Sequence, residues 1–464
     1  MKDFIDDASI HSGLDKVKNP PSSLVKEIIS KARELKGLSL DDVAVLLQTK
    51  DHDLIDEIYS TARYIKQTIY GNRLVLFAPV YISNYCSNNC LYCGFRKDNQ
   101  ELSRRALTQE EIKAEVLELE KEGHKRLLML CGEHPKLNSL EYILESIETA
   151  YKVKSPEGGE IRRINVEIAP LEIDEFKKLK QADIGTYVLF QETYHHEAYS
   201  KMHPSGPKSD YLWRLTAMDR AMKAGIDDVG IGALFGLYDY KFEVMGLLSH
   251  ALHLENEFGV GPHTISVPRL ETALNAPAAI TPPMPVSDSD FKKLVSIIRL
   301  AVPYTGIILT TRENPKVRGE LFELGVSQIS AGSRTNPGGY HEKTDNDFMA
   351  CQFNLGDTRT IDEVIFDITA KGHIPSFCTA CYRLGRTGAD FMDLAKPGLI
   401  HKFCRTNAIL TYKEYLVRYA SNETKIAGDR LIKDLVEKTL DPAVRNMIKD
   451  RLQRIESGEQ DLYI

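Results

Sequence analysis

Through the first 70 residues apolar positions recur three and four apart. In PSSLVKEIISKARELKG (21–37), Leu24, Ile28, Ile29 and Ala32 share one face, and in HDLIDEIYSTARYIKQTIYG (52–71) Leu54, Ile55, Ile58, Ala62 and Ile65 do the same. This spacing predicts amphipathic helices, with Gly37 and Gly71 at their exits. From residue 72 the pattern changes to short continuous apolar runs separated by charged, helix-like stretches. The runs cover 74–82, 126–132, 163–169, 186–192, 228–236, 264–270, 306–312 and 326–332. Their lengths predict buried parallel strands, and 108–123, 174–182 and 289–301 predict helices between them. Eight such alternations define an α/β chain and point to a (β/α)8 TIM-type barrel, with a doubly wound sheet as the competing topology. Beyond residue 340 the alternation stops, and 362–372, 411–420 and 427–457 read as helices. The expected division is an N-terminal helical lead-in (1–71), a barrel (72–340) and a mainly helical C-terminal extension (341–464).

Composition narrows the class. The chain has 464 residues and a formal net charge of −7, and its mean hydropathy is −0.28. No apolar run approaches the roughly 18 residues of a membrane span. The start, MKDFIDDASIHSG, is acidic and polar, which suits neither a secretory signal nor a basic transit peptide. The acidic balance disfavours a nucleic-acid-binding surface. The expectation is a cytoplasmic enzyme with small-molecule substrates, no nucleic-acid partner and no membrane partner. Such a chain needs no disulfides, yet it has eight cysteines, and three of them fall in Cys86-x3-Cys90-x2-Cys93. Three thiolates in one loop can each hold one iron of a cubane and leave the fourth iron open. The alternative is a zinc knuckle, but no fourth Cys or His lies nearby in the sequence. A second set, Cys378-x2-Cys381-x22-Cys404, again supplies three thiolates. Cys131 and Cys351 remain as packing residues.

The first loop, YISNYCSNNCLYCGFRKDN, resembles that of the radical S-adenosylmethionine (SAM) superfamily, in which the same spacing follows the first barrel strand. The resemblance implies a [4Fe-4S] cluster whose open iron chelates SAM, and one-electron cleavage of SAM to a 5′-deoxyadenosyl radical. It also implies SAM contacts from Tyr92, which packs on adenine, from Glu133 of Cys131-Gly132-Glu133, and from Glu192 and Arg214. Cys131 departs from the family's usual Gly-Gly-Glu. With the second triad included, the chain resembles the tyrosine lyases of [FeFe]-hydrogenase maturation, further similarities being QETYHHEAY (191–199), GPKSDYLWRL (206–215), AGIDDVGIGALFGLYD (224–239), HTISVPRL (263–270) and LTTRENP (309–315).

That resemblance implies cleavage of L-tyrosine to p-cresol and dehydroglycine, then formation of carbon monoxide and cyanide on iron at an auxiliary [4Fe-4S] cluster. The auxiliary cluster would carry a labile iron and bound L-cysteine and would sit in the C-terminal extension. Other hydrogenase maturases and an electron donor are implied as partners. The metal ligands expected are the six triad cysteines with His263 on the labile iron, His373 being its competitor. A zwitterionic amino acid needs a carboxylate clamp, for which Arg312 is the first choice and Arg269 the second, with Ser333 as an orienting hydroxyl. Two other readings stay open: a 2-iminoacetate synthase-type tyrosine lyase of thiamine thiazole biosynthesis, and a non-catalytic iron–sulfur or zinc scaffold.

Overall fold

The structure is a computed structural model and describes residues 2–156, 158–342, 348–395 and 400–464. Nine parallel strands occur among these residues: β1 (Arg73–Ser83), β2 (Arg126–Cys131), β3 (Arg163–Glu167), β4 (Tyr187–Glu192), β5 (Val229–Ala233), β6 (Thr264–Ser266), β7 (Gly306–Leu309), β8 (Gln328–Ser330) and β9 (Ile374–Ser376). Each of β1–β8 falls within or overlaps one of the eight apolar runs. β1 pairs with both β2 and β8, which closes them into a barrel. The competing doubly wound sheet is thereby excluded. The strands are apolar on both faces because one face packs into the barrel and the other against the helical ring. β1 illustrates this, with every residue from Leu74 to Ser83 buried.

The lead-in helix His52–Ile69 buries Leu54, Ile58, Ala62 and Ile65 and packs beside the helix Asp288–Ala301, outside the barrel. Gly37 and Gly71 both take left-handed backbone (φ 84° and 62°), as chain exits from helices require.

β9 is the departure from the sequence pattern. It lies beyond residue 340, where only helices were expected, and consists of Ile374, Pro375 and Ser376. Three residues with a central proline carry no periodicity, and proline is tolerated there because β9 is an edge strand. β9 pairs with Arg73–Val75 while β8 pairs with Val75–Phe77, so β9 extends the sheet at the N-terminal end of β1. The loop after β9 is thereby delivered to the bottom of the barrel. The helix Ile400–Arg418 packs on β9, and the helices Asn422–Glu437 and Pro442–Glu456 pack against it in turn. No helix among the described residues is long and apolar enough to cross a membrane.

A buried carboxyl makes the barrel wall pH-sensitive. Glu243, on the helix Tyr240–Phe258, is fully buried and accepts hydrogen bonds from the Thr193 hydroxyl and from Tyr194 N (2.9 Å). Burial pushes its pKa from the usual 4.5 up to about 8. Between those values the folded chain keeps a proton that the unfolded chain releases, so stability falls as pH rises through this window. Glu243→Gln can accept from Tyr194 N and donate its amide to the Thr193 hydroxyl oxygen, and it removes the charge. It is expected to raise the melting temperature at pH 8.5 by a few degrees, at roughly 2–4 °C per kcal/mol, and to change little at pH 5. Thermal scans of both proteins at the two pH values check this, and an equal shift at both would assign the effect to packing.

Candidate active site and second metal centre

Beyond Ser83 the chain enters the first cysteine loop, which the structure ties down at both ends. Asn84 donates from Nδ2 to Ser103 O (2.8 Å) and accepts from Arg105 N at Oδ1 (2.7 Å). Arg104 donates to the carbonyls of Asn84, Phe95 and Arg96 (2.7, 2.8 and 2.6 Å), so the loop backbone wraps a guanidinium. The exit of β2 abuts this loop. Ser87 N donates to Glu133 O (2.8 Å), and a Cβ at Gly132 would overlap the Tyr85 carbonyl oxygen, so only glycine permits the approach.

Cys86, Cys90 and Cys93 line one cavity at the C-terminal mouth of the barrel, together with Tyr92, Glu133, Glu192 and Arg214. The structure therefore brings every residue expected around the first cluster into one place. Burial pushes Cys86 and Cys93 up to about 11 and Cys90 up to about 12, so a metal must displace protons to bind them. Glu133 accepts from Arg214 Nη1 (2.8 Å) and from Asn88 Nδ2 (2.6 Å). Burial opposes its ionisation, but Arg214 and Lys208 outweigh it and hold the carboxyl below its usual range. Glu192 has left-handed backbone (φ 72°) beside a register irregularity between β4 and β5, a strain of order 1–3 kcal/mol. It accepts from Lys208 Nζ at 2.6 Å. Tyr92 is buried, with its hydroxyl 2.7 Å from His203 Nε2. Cys131 lines the same cavity, and Cys351 is buried outside its lining.

Lys208 and Asn88 were not foreseen. A lysine in Gly-Pro-Lys-Ser reads as an exposed turn residue, and only tertiary packing closes it over Glu192, with 10% of its side chain exposed. The similarity over 206–215 was the one signal pointing to it.

Deeper in the barrel a second cavity is lined by Tyr81, Glu167, Arg312, Gln328 and Phe353, among others. The Arg312 guanidinium carbon lies 3.3 Å from the Phe353 ring centroid. Its side chain makes no hydrogen bond and no ion pair among the described residues, and burial lowers its pKa. Glu167, at the end of β3, faces both this cavity and the one above, and burial pushes it up to about 7. The sequence pattern had counted it as strand.

Arg269 is a correction. β6 ends at Ser266, so Arg269 stands in the following loop rather than in the strand. Its guanidinium is bound to Glu313 (Nε–Oε1 2.9 Å) and Asp288 (2.8 Å), and it does not line the cavity. Its donors tie two loops together and are unavailable to a ligand. Ser333 is buried with its hydroxyl unpartnered, and it too lies outside the lining.

At the opposite end, Cys378, Cys381 and Cys404 line a third cavity with His263, Arg73 and Gln328. Burial raises Cys378 and pushes Cys381 up to about 12. His263 is held close to its neutral form by burial, and its Nδ1 is buried without a hydrogen-bond partner, 3.5 Å from Asp228 Oδ1. His373 does not line this cavity. It precedes β9 and stands 2.9 Å from Glu323 on the outer face. Of the two competing histidines, the structure brings only His263 to the cysteines. Among the described residues no three His, Cys, Asp or Glu side chains converge on a single-ion site. Two buried thiols and the half-buried Cys381 around one cavity fit a polynuclear cluster, which takes one thiolate per iron, and the His263 imidazole beside them fits a further iron. Gln328 lines both this cavity and the one holding Arg312, so it stands between the two inside the barrel.

Residues 80–248 match the model of the radical SAM superfamily, and residues 266–374 match the biotin and thiamin synthesis associated domain. The chain is similar to a crystal structure of HydG, a maturase of the [FeFe]-hydrogenase. Identity is 54%, both chains are covered in full, and the TM-score is 0.96. This chain is a radical SAM enzyme of the HydG family. It also resembles HydG from Carboxydothermus hydrogenoformans, with 41% identity, 96% of this chain and 97% of that one covered, and a TM-score of 0.84. Among curated relatives, 2-iminoacetate synthase of Salmonella typhimurium is 31% identical over 351 residues, or 75% of this chain and 89% of its own length. Membership of the HydG family means that the chain carries a [4Fe-4S] cluster binding SAM. Both family-model matches end before Cys378, so the second triad lies outside them.

Proposed function

We propose that the chain is a lyase that cleaves the Cα–Cβ bond of L-tyrosine at the upper site, giving p-cresol and dehydroglycine, and converts the glycine fragment at the lower site to carbon monoxide and cyanide on iron for [FeFe]-hydrogenase assembly. The observation that carries this reading is two three-thiol cavities at opposite ends of one barrel, with an interior cavity between them that shares Gln328 with the lower one and Glu167 with the upper one.

Cys86, Cys90 and Cys93 hold the first cluster, and Tyr92, Glu133, Glu192 and Arg214 surround SAM. Cys378, Cys381 and Cys404 hold an auxiliary [4Fe-4S] cluster, with His263 on a labile iron that also binds L-cysteine. When bound, the first cluster with SAM supplies a 5′-deoxyadenosyl radical, and the second supplies iron that captures diatomic ligands. The chain's own part is positional. Arg312 clamps the tyrosine carboxylate with its planar fork, and the Phe353 ring packed against it orients that fork. The closed barrel wall keeps water from the fragment on its way past Gln328. In this reading 1–71 is a lead-in, 72–340 the radical SAM barrel and 341–464 the auxiliary-cluster region. Other maturases, an electron donor and a reducing cytosol complete the setting.

A 2-iminoacetate synthase-type lyase is the second reading, favoured by the 31% likeness over most of the chain. Anaerobic reconstitution with iron and sulfide, followed by SAM, L-tyrosine and a strong reductant, separates the readings. The expected products are p-cresol, cyanide and carbon monoxide. p-Cresol with glyoxylate and no carbon monoxide would select the second reading. No p-cresol from intact clusters overturns tyrosine cleavage and leaves the scaffold.

A further inference from the structure

Arg73 is the first residue of β1 and lines the lower cavity beside the second cysteine triad. The other two guanidinia there each have one donor engaged, Arg126 Nη1 to the Cys378 carbonyl (3.2 Å) and Arg386 Nη2 to Ile464 O (3.1 Å), although their Nε atoms are unpartnered. Arg73 makes no side-chain hydrogen bond and no ion pair among the described residues. Its Nε is fully enclosed and unpartnered, and its guanidinium carbon lies over the Tyr70 ring, 5.8 Å from the centroid. The one carboxylate in the described lining, Asp228, accepts from Gly388 N (2.9 Å) and faces His263 instead.

Arg73 is partly exposed to the cavity, and its enclosed Nε is an unmet donor that is costly to leave without an acceptor. The pairing of β9 with Arg73–Val75 holds this side chain where the Cys378 loop begins. A planar fork at the edge of a thiol-lined cavity matches a carboxylate better than it matches the diffuse charge of a cluster. A ligand reaching the metal through a thiol or amine leaves its carboxylate to be neutralised in the same enclosed space.

We propose that Arg73 is the carboxylate-binding residue of the lower cavity and holds a small α-amino acid, of the cysteine type, against the metal bound by Cys378, Cys381 and Cys404. This rests on the second-cluster reading above and adds the group that selects the ligand. Arg73 is a binding residue here, separate from the thiols and from His263.

The test is equilibrium binding of labelled L-cysteine to the anaerobically reconstituted full chain, with cysteamine, which lacks the carboxylate, as competitor. Iron is counted in parallel. The wild-type chain is expected to prefer L-cysteine by about tenfold or more, as one charged hydrogen-bonded pair supplies. Arg73→Gln should bring the two ligands within about threefold at unchanged iron content, and Arg73→Lys, which keeps charge without the fork, should fall between. Full preference in Arg73→Gln with about eight irons per chain overturns the role of Arg73 and leaves the second cluster standing. Loss of the second cluster's iron in Arg73→Gln assigns the residue to balancing cluster charge and also overturns the proposal. A wild-type chain that takes up only about four irons overturns the second-cluster reading itself.

Discussion

Cys378→Ala is expected to keep p-cresol formation within about twofold of wild type while carbon monoxide falls to background. Cys378 lines only the lower cavity, at the far end of the barrel from the residues that surround the first cluster. Effects at sites without shared partners add independently, so the first cleavage does not feel the change. The lower cavity does feel it, because a cubane with two protein thiolates has lost one of its three anchors. The alanine itself is tolerated locally: the Cys378 side chain accepts only a 3.4 Å contact from Ala380 N, and the loop is fixed through β9 and the helix Ile400–Arg418. Chromatography of p-cresol, trapping of carbon monoxide by a haem protein and iron counting read the three quantities on one sample. Simultaneous loss of both products with the first cluster intact would mean that the two triads serve one site.

The second large effect is at Arg312. Arg312→Gln should lower kcat/KM for L-tyrosine by roughly two orders of magnitude, the usual cost of removing one partner of a desolvated charged pair. The unproductive cleavage of SAM without tyrosine should be unchanged. Arg312→Lys keeps the charge but not the bidentate fork, so it should recover only part of the loss. Stability moves the other way. Arg312 has no ion-pair partner among the described residues, so removing it takes away a desolvation cost and leaves the melting temperature unchanged or higher. A comparable loss of stability with the loss of activity would show that the guanidinium supports the barrel. The outcome for Arg269→Gln should be the reverse, because its partners Glu313 and Asp288 are structural.

The fold was legible because a parallel barrel writes itself into the chain as regular alternation. Apolar runs at 74–82 and 186–192 became β1 and β4 within a residue or two. β9 was not legible, since three residues around Pro375 have no pattern of their own and form a strand only because β1 offers a free edge. The two thiol sets were legible for a chemical reason. Cluster ligands that come from one loop, as Cys86, Cys90 and Cys93 and the pair Cys378 and Cys381 do, must keep fixed spacing, and that spacing survives in one dimension, whereas Cys404 reaches its set from the helix Ile400–Arg418. Lys208 and Asn88 act through contacts between different elements, Asn88 reaching Glu133 45 residues on and Lys208 reaching back 16 residues to Glu192. No local spacing announces such contacts.

The two histidines show where that boundary falls. By sequence, His373 is nearer the second cysteine motif than His263, yet its ring faces Glu323 outside the barrel while His263, preceding β6, enters the thiol-lined cavity. Arg269 and Arg312 divide in the same way: each follows a barrel strand, and only the second has its donors free. The sequence by itself determined the barrel, the two sets of three thiols and the acid and cation expected near the first, because periodicity and ligand spacing are properties of neighbours along the chain. The tertiary structure alone decided which charged side chains are already paired, which histidine reaches the second triad, and that the two triads face opposite ends of one closed interior. Those are properties of enclosure and of competition for partners, which arise only when segments hundreds of residues apart share the same space.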